Sequence, residues 1–106
     1  MSARFLFETR PLTPDDAAAA LLTSEARELL RAARDRLAAL AKWDTESLEG
    51  AVRESAESSG VKLGKLAQPL RAALTGRTTS PGIFDVLLLL GRDESLARVE
   101  DQIVER

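Results

Sequence analysis

The chain has 106 residues, of which 44% are hydrophobic and 30% are charged, and its formal net charge is −2. It contains neither cysteine nor histidine. Disulfides, thiolate metal sites and the commonest general base are thereby excluded, and we expect a cytoplasmic protein without a metal site. Every apolar run, including Val86 to Leu90, is far shorter than the ~20 residues that span a bilayer. The first residues carry no signal-peptide pattern, so we expect no contact with membranes.

The composition favours helices, because Ala, Leu, Glu and Arg dominate while β-branched and aromatic residues are sparse. Phe5 to Phe7 is predicted as an extended lead-in that inserts an apolar end into the core. Thr13 is a typical N-cap, with Pro14 at the first helical position and acids in the first turn. A short first helix is therefore predicted to run from there to about Leu22.

A cap followed by an apolar periodicity defines each of the next two helices. Thr23 starts the second, with apolar residues at spacings of three and four: Ala26, Leu29, Leu30, Ala33, Leu37 and Leu40. The segment from Lys42 to Thr45 ends that helix and caps a third. The third helix stops at Gly60, a residue suited to a left-handed C-terminal position, and its apolar residues are Leu48, Ala51 and Val52.

The fourth helix is predicted from about Leu63 to Leu74, before Thr75-Gly76. Its apolar residues lie on one stripe of the helix, and they are Leu63, Leu66, Ala67, Leu70, Ala73 and Leu74. Pro69 lies inside this stripe and removes a backbone hydrogen bond. It should therefore bend or divide the helix.

The last two helices follow a polar loop from Arg77 to Pro81. Ser80 and Pro81 again pair a cap with proline and start a fifth helix that Gly91 terminates. Because this helix is almost entirely apolar, Val86 to Leu90 are expected to be among the most buried residues, so that a charge at Leu88 would unfold the domain. Asp93 is expected to cap the last helix, whose inward-facing residues are Leu96, Val99, Ile103 and Val104.

These elements predict an all-α fold in one domain over residues 1–106, an irregular bundle or cage of about six short helices. Two helical halves, about 1–60 and 61–106, are the expected subdivision. They would meet near Trp43, which we expect to pack at the core or a hinge. The alternative role of Trp43 is a platform on which a base stacks.

Charge is distributed unevenly along the sequence. From Ser58 to Phe84, called the basic segment below, there are four cations and no acid: Lys62, Lys65, Arg71 and Arg77. The other 11 of the 15 basic residues are outnumbered by all 17 acids. Local binding of a polyanion is one explanation of this asymmetry, and chance clustering on a solvated face is the other.

The most distinctive sequence runs from Lys62 to Arg77, KLGKLAQPLRAALTGR, and continues as TTSPGIF to Phe84. It resembles the C-terminal signature of bacterial glutamyl-tRNA synthetases, in which a Lys-x-Gly-Lys…Arg-x-Ala-Leu-Thr-Gly run precedes a Ser-Pro-Gly-like loop and an apolar helix ending in Leu-Gly. Leu89 to Gly91 and Ser95 to Arg98 extend the similarity. Upstream, Phe5 to Phe7 and Glu25 to Leu30 are similar to the start of that region, so the resemblance covers nearly the whole chain.

The resemblance implies an all-helical cage that reads the anticodon stem-loop of a glutamate tRNA. In that family a separate nucleotide-binding domain makes glutamyl-adenylate, with signatures similar to His-Ile-Gly-His and Lys-Met-Ser-Lys-Ser. Neither signature occurs in this chain, so no catalytic residue is expected here. ATP and Mg²⁺ would belong to the catalytic domain, joined in cis if the chain is an excised fragment. A stand-alone relative that kept only the RNA-binding end is the other possibility.

The resemblance also implies which residues bind RNA. Arg71 is the first candidate, because a guanidinium can pair with phosphate or stack on an unpaired base, although its charge also suits the helix dipole. Gln68 can bond a base or cap the backbone near Pro69. The loop and helix start that would face the anticodon bases consist of Thr78, Thr79, Ser80, Pro81, Gly82 and Ile83. The same residues are also explained by an ordinary helix start.

The remaining cations of the basic segment are expected to contact phosphates, which fix position without reading sequence. They are Lys62, Lys65 and Arg77, and each is alternatively a solvated cation. The sequence is therefore consistent with two alternative functions. One is an RNA-binding module of a tRNA ligase, and the other is a helical protein-interaction domain that kept the fold but lost RNA binding. Salt dependence separates them, since phosphate binding weakens as salt rises.

Overall fold

The structure, a computed structural model, describes residue 10 and residues 12–103. These residues form five α-helices and no strand: α1 (Asp16–Leu21), α2 (Ser24–Ala38), α3 (Thr45–Ser58), α4 (Leu63–Thr75) and α5 (Ile83–Ile103). The predicted all-α class is confirmed. In the same part of the chain, no helix is long and apolar enough to cross a membrane, and no group of acidic side chains is arranged to hold a metal ion. The predicted lead-in, Phe5 to Phe7, and Val104 lie outside the described residues.

Side-chain caps set the starts of α2 and α3 where the sequence predicts them. Thr23 Oγ1 accepts a hydrogen bond from the Ala26 N–H at 3.1 Å, and Asp44 Oδ1 accepts one from the Ser47 N–H at 2.8 Å. The pKa of the Asp44 carboxyl is lower than its ordinary value of 3.8, because Ser47 hydrogen-bonds to it. The Ser47 side chain has the larger effect and the Ser47 backbone the next largest. The α3 cap is thus an ionised carboxylate at neutral pH.

The predicted start of α1 is wrong by two residues. Asp15, rather than Thr13, is the N-cap, and its Oδ1 accepts from the Ala18 N–H at 2.8 Å. The Asp15 N–H donates to the Gly76 carbonyl at 2.9 Å. The start of α1 is therefore joined to the end of α4 as well as capped locally.

A single hydrophobic cluster includes residues from all five helices. α4 is at its centre, contacts every other helix, and buries Leu66, Leu70 and Leu74 completely. The helix also continues through Pro69, so it is not divided there. Because the cluster draws on residues before and after Gly60, the subdivision into two halves stays a prediction.

α5 contains the two helices predicted at the end of the chain, and they meet at a kink at Gly91, the residue predicted to end the first of them. Gly91 has the non-helical angles φ 79° and ψ 171°. The first of the two helices starts at Ile83 rather than Pro81. Leu88 is 38% exposed and Leu89 58% exposed, so the prediction that Val86 to Leu90 are all deeply buried is wrong. The helix packs through one face only, and that face carries Ile83, Val86 and Leu87.

Trp43 packs beside the kink, as predicted for a core or hinge residue. Its Nε1 donates to the Leu87 carbonyl at 2.9 Å, and the guanidinium of Arg92 lies 5.1 Å from the centre of its ring, within the range of a cation–π contact. The indole is half-buried against the core. This packing joins the α2–α3 connection to the last helix.

Three arginines donate to backbone carbonyls at or just beyond the C-termini of helices. Arg92 donates to Leu40 after α2 at 2.7 Å, Arg27 to Gln102 near the end of α5 at 3.2 Å, and Arg98 to Leu74 near the end of α4 at 2.8 Å. The last carbonyls of a helix lack intrahelical donors and carry its negative dipole end, so cations are favoured there. Arg98 is only 1% exposed.

The contrast between Leu87 and Leu88 can be tested with one substitution at each position. Leu87→Asp places a carboxylate in the core without a partner and should lower the free energy of unfolding by about 4 kcal/mol or more. Leu88→Asp should cost about 1 kcal/mol or less, because its side chain reaches solvent. Urea unfolding followed by circular dichroism measures both. A Leu88→Asp chain as unstable as Leu87→Asp would mean that α5 is buried on both faces.

The buried cap on α4 is tested by Arg98→Met, which keeps an unbranched apolar stem but removes the donors. The Leu74 carbonyl then lacks its charged partner, and the free energy of unfolding should fall by about 1–3 kcal/mol. The control is Arg53→Met, at an exposed arginine of α3, which should change it by less than about 0.5 kcal/mol. Equal stability of Arg98→Met and wild type would show that the guanidinium is dispensable.

Candidate nucleic-acid interface

The basic segment folds into α4 and the connections on both sides of it. Gly64, Gln68 and Arg71 are spaced four and three residues apart and therefore lie on one face of α4. Lys65 is beside this face, and Lys62 precedes the helix without a side-chain cap. Lys62, Lys65 and Gln68 are exposed, while Arg71 is half-buried. The exposed part of the acid-free stretch is thus a strip along the first half of α4, since the helix is buried from Ala72 to Thr75.

Arg71 is held in place by the following loop. Its Nε donates to Ser80 Oγ at 2.9 Å, and Ser80 Oγ donates in turn to the Pro81 carbonyl at 2.7 Å. This bond uses only Nε, and neither terminal amino group of Arg71 has a hydrogen-bond partner in the described residues. The guanidinium is therefore oriented by the protein and keeps its two outer nitrogens available for a ligand.

The base of the loop is fixed by contacts at the end of α4. Gly76 has φ 73°, a conformation that other residues rarely adopt, and a Cβ there would lie 3.6 Å from the Thr13 carbonyl oxygen and from Pro14 Cα. Thr75 is buried; its Oγ1 donates to the Arg71 carbonyl at 2.8 Å and accepts from the Arg77 N–H at 3.1 Å. Together with the Arg98 bond, these contacts set the direction in which the chain leaves α4.

The loop itself supplies fewer side chains than the sequence predicts. Arg77 and Thr79 are exposed, and Thr78, Ser80 and Pro81 are half-buried. Ile83 is only 6% exposed and belongs to the core, so its side chain does not face solvent. A Cβ on Gly82 would lie 3.6 Å from Asp85 Oδ2, which places a carboxylate at the N-terminus of α5, where an anion would otherwise be favoured.

An acid from another helix enters the surface that is basic in sequence. Lys65 Nζ lies 3.1 Å from Glu25 Oε1 of α2, and both side chains are mostly exposed. The local charge along α4 is therefore smaller than the sequence count indicates. Only the packing of α2 against α4 brings this acid there, so the sequence alone gave no sign of it.

A groove between α1, α2 and α4 was also missed by the sequence analysis. Its volume is about 310 Å³. Its sides are mostly apolar, and its polar residues lie on α4 and at the start of α2. The lining residues are Ala20, Leu21, Thr23, Glu25, Ala26, Leu29, Gly64, Lys65, Gln68 and Pro69.

The structure separates the predicted site residues into two groups along α4 and the loop that follows it. Arg71, Ser80 and Pro81 form one cluster at its C-terminal end, with Thr79, Arg77 and Gly82 on the adjoining loop. Lys65 and Gln68 border the groove nearer the N-terminal end. Lys62 lies at the helix start, apart from the loop.

Comparisons with known proteins identify related sequences over almost the whole chain. The family described as anticodon binding domain matches residues 1–103. Glutamate–tRNA ligase 2 of Chelativorans sp. (strain BNC1) is 62% identical over 104 residues, covering 98% of this chain and 22% of the relative. Glutamate–tRNA ligase 1 of Brucella melitensis biotype 1 is 58% identical over 101 residues, covering 95% and 21%. The chain thus spans about a fifth of the length of these relatives.

Solved structures show the same fold. A glutamate tRNA ligase from Elizabethkingia meningosepticum CCUG26117, crystallised in complex with its amino acid, has a TM-score of 0.82 at 24% identity, covering 92% of this chain and 20% of that one. The glutamate–tRNA synthetase of Elizabethkingia anophelis has a TM-score of 0.76 at 26% identity, covering 95% and 19%. The helical arrangement described above is therefore one found in tRNA ligases.

Proposed function

The chain belongs to the anticodon-binding domain family, and we propose from this membership that it binds the anticodon stem-loop of a glutamate tRNA. The longer protein of this type would ligate glutamate to that tRNA, with ATP and Mg²⁺ bound by a catalytic domain. Its place of action would be the cytoplasm, where the tRNA is charged. The observation that carries the proposal is the orientation of Arg71 by Ser80 beside an exposed loop.

Arg71 suits the reading of an unpaired base. Nη1 and Nη2 form a planar pair of donors that matches the two acceptors on a base edge, and the flat guanidinium can also stack on a base face. Because Ser80 already fixes Nε, less side-chain entropy is lost on binding than for a free arginine. Base recognition in RNA loops depends on such contacts with unstacked nucleotides.

The other cations of the basic segment would position the RNA through its phosphates. Lys65 and Arg77 flank Arg71 along the chain, and Lys62 extends the charge to the start of α4. Contacts of this kind strengthen binding to any RNA and give it salt dependence. The comparisons do not favour the alternative of a protein-interaction domain, because the relatives are tRNA ligases.

A salt titration of stem-loop binding distinguishes the two kinds of contact. Arg71→Ala should weaken binding by about 1–3 kcal/mol and reduce discrimination between the glutamate anticodon and altered anticodons. Lys65→Ala and Arg77→Ala should instead weaken all stem-loops alike and lower the salt slope by about one unit for each lost phosphate contact, or less for single strands. Fluorescence anisotropy with labelled stem-loops at several salt concentrations measures both effects.

The matched control for this series is Arg53→Ala, which removes an exposed arginine of α3 outside the basic segment. Its affinity should equal that of wild type. No binding by the wild-type chain at low salt, or equal affinities for all four variants and wild type, would contradict the proposed function.

Breaking the ion pair between Glu25 and Lys65 should strengthen stem-loop binding, whereas the substitutions described above should weaken it. Glu25→Gln releases Lys65 and removes a negative charge from the surface, so stem-loop binding should become tighter. Exposed pairs are worth up to ~1 kcal/mol, which sets an upper limit of about five-fold at low salt, and screening should abolish the gain at high salt.

Glu28→Gln serves as the control for charge alone, since Glu28 is exposed on the same helix but does not border the groove. The two variants have the same net charge. A gain that is equal for both variants would mean that Glu25 acts only through the total charge of the chain.

A further inference from the structure

Thr75 ends α4 and carries a hydroxyl that the fold buries. The residue is only 1% exposed, so its side chain cannot touch an RNA. A buried hydroxyl is costly unless it is hydrogen-bonded, and a valine of similar shape would fill the position without that cost. The contacts of the hydroxyl therefore indicate what Thr75 does at this position.

The Thr75 hydroxyl joins two backbone positions on either side of the turn at Gly76. Its Oγ1 donates to the Arg71 carbonyl at 2.8 Å and accepts from the Arg77 N–H at 3.1 Å. The Arg77 carbonyl oxygen lies 3.3 Å from the same atom, as a longer second contact. The backbones of Arg71 and Arg77 are thus connected through one side-chain atom.

The way in which α4 ends explains why a side chain is needed there. Gly76 has φ 73°, and its N–H donates to the Ala72 carbonyl at 2.8 Å, which is the bond of the αL motif. In the alternative Schellman motif, that carbonyl would accept from the N–H of the next residue. Here the next residue is Arg77, and its N–H donates to Thr75 Oγ1. A side chain therefore helps to set the direction of the chain after the turn.

The loop after the turn is attached to Arg71 at both of its ends. At its start, the Thr75 hydroxyl holds the Arg77 backbone next to the Arg71 carbonyl. At its other end, Ser80 Oγ accepts from Arg71 Nε at 2.9 Å. Only two residues separate Arg77 from Ser80. A shift of the Arg77 backbone is therefore passed on to Ser80 over a short distance, and it changes the direction in which the Arg71 side chain is held.

We infer that Thr75 is a positioning residue for the contact between Arg71 and the anticodon. The inference rests on the proposed function and adds to it a residue that acts on the RNA only through others. The Thr75 hydroxyl keeps the Arg71 side chain in one orientation, so that less side-chain entropy is lost when a base is bound. Without the hydroxyl, Ser80 and the guanidinium would move as a pair, and the guanidinium would fit several base edges about equally well.

The substitution Thr75→Val removes the hydroxyl and keeps the branched shape of the side chain. In stem-loop binding measured by fluorescence anisotropy, it should reduce discrimination between the glutamate anticodon and an altered anticodon by about two- to ten-fold, the effect of ordering one long side chain. Thr75→Ser keeps the hydroxyl and should discriminate as wild type does. Ser55→Ala is the matched control, because it removes another buried hydroxyl, on α3, and should leave discrimination unchanged.

Melting temperatures verify that each variant folds. Should Thr75→Val fail to fold, Thr75→Ala takes its place, since alanine also lacks the hydroxyl and is smaller. A role of Thr75 that is limited to stability would lower the melting temperature and leave the discrimination of the folded chain intact.

A double-mutant cycle shows whether Thr75 acts through Arg71. In the Arg71→Ala background, Thr75→Val should cause no further loss of discrimination, because the guanidinium that it misaligns is absent. Nuclear magnetic resonance of the RNA-free chain tests the geometry separately. The Arg71 Nε–H donates to Ser80 Oγ, and it should exchange with water faster in Thr75→Val than in wild type or Thr75→Ser.

The possible failures are distinct. If wild type binds the stem-loop and depends on Arg71, but Thr75→Val discriminates equally well, the inference is overturned and the proposed function survives. Equal losses with and without Arg71, or an unchanged exchange rate of the Arg71 Nε–H, would also overturn the inference alone. If wild type does not bind the stem-loop at all, the proposed function and the inference both fall.

Discussion

The buried guanidinium of Arg98 donates to the Leu74 carbonyl at 2.8 Å, two residues before the left-handed turn at Gly76. A charge that is 1% exposed is tolerated there because Glu94 Oε2 lies 2.7 Å from its Nε and because the negative end of the helix dipole faces it. The loop that orients Arg71 begins immediately after this point. The geometry of the proposed anticodon contact thus depends on the Arg98–Glu94 ion pair of α5, the helix that follows the loop.

The helices themselves were largely predictable, because local signals define them. Thr23 and Asp44 cap α2 and α3 as expected, and Gly60, Gly76 and Gly91 all have positive φ. The errors arose at two places. Thr13 and Asp15 are both suitable N-caps and stand two residues apart, and the cap is Asp15, whose N–H also donates to the Gly76 carbonyl. The leucine run in α5 is only partly covered because the helix packs through one face, and the run itself does not indicate which leucines the other helices cover.

The candidate site residues were named in a different way, through resemblance rather than through a chemical motif, and their contacts with RNA stay a prediction. Resemblance named Arg71 and Ser80 as separate RNA-binding residues, and the structure joins them by a hydrogen bond of 2.9 Å. It could not indicate that the Ile83 side chain is used by the core, since an isoleucine after a loop fits either role. The groove and the Glu25–Lys65 pair involve residues about 40 positions apart, and a single sequence contains no information on such pairs.

The arginines at the helix ends also change how the protein presents its charge. Arg27, Arg92 and Arg98 are counted in the formal net charge of −2, and each donates to a backbone carbonyl near a helix end. Of the three, Arg98 is buried and adds no charge to the surface. Outside the basic segment, 11 basic residues stand against 17 acids in the sequence. In the binding proposed above, this asymmetry would turn an approaching polyanion towards α4 before any contact forms.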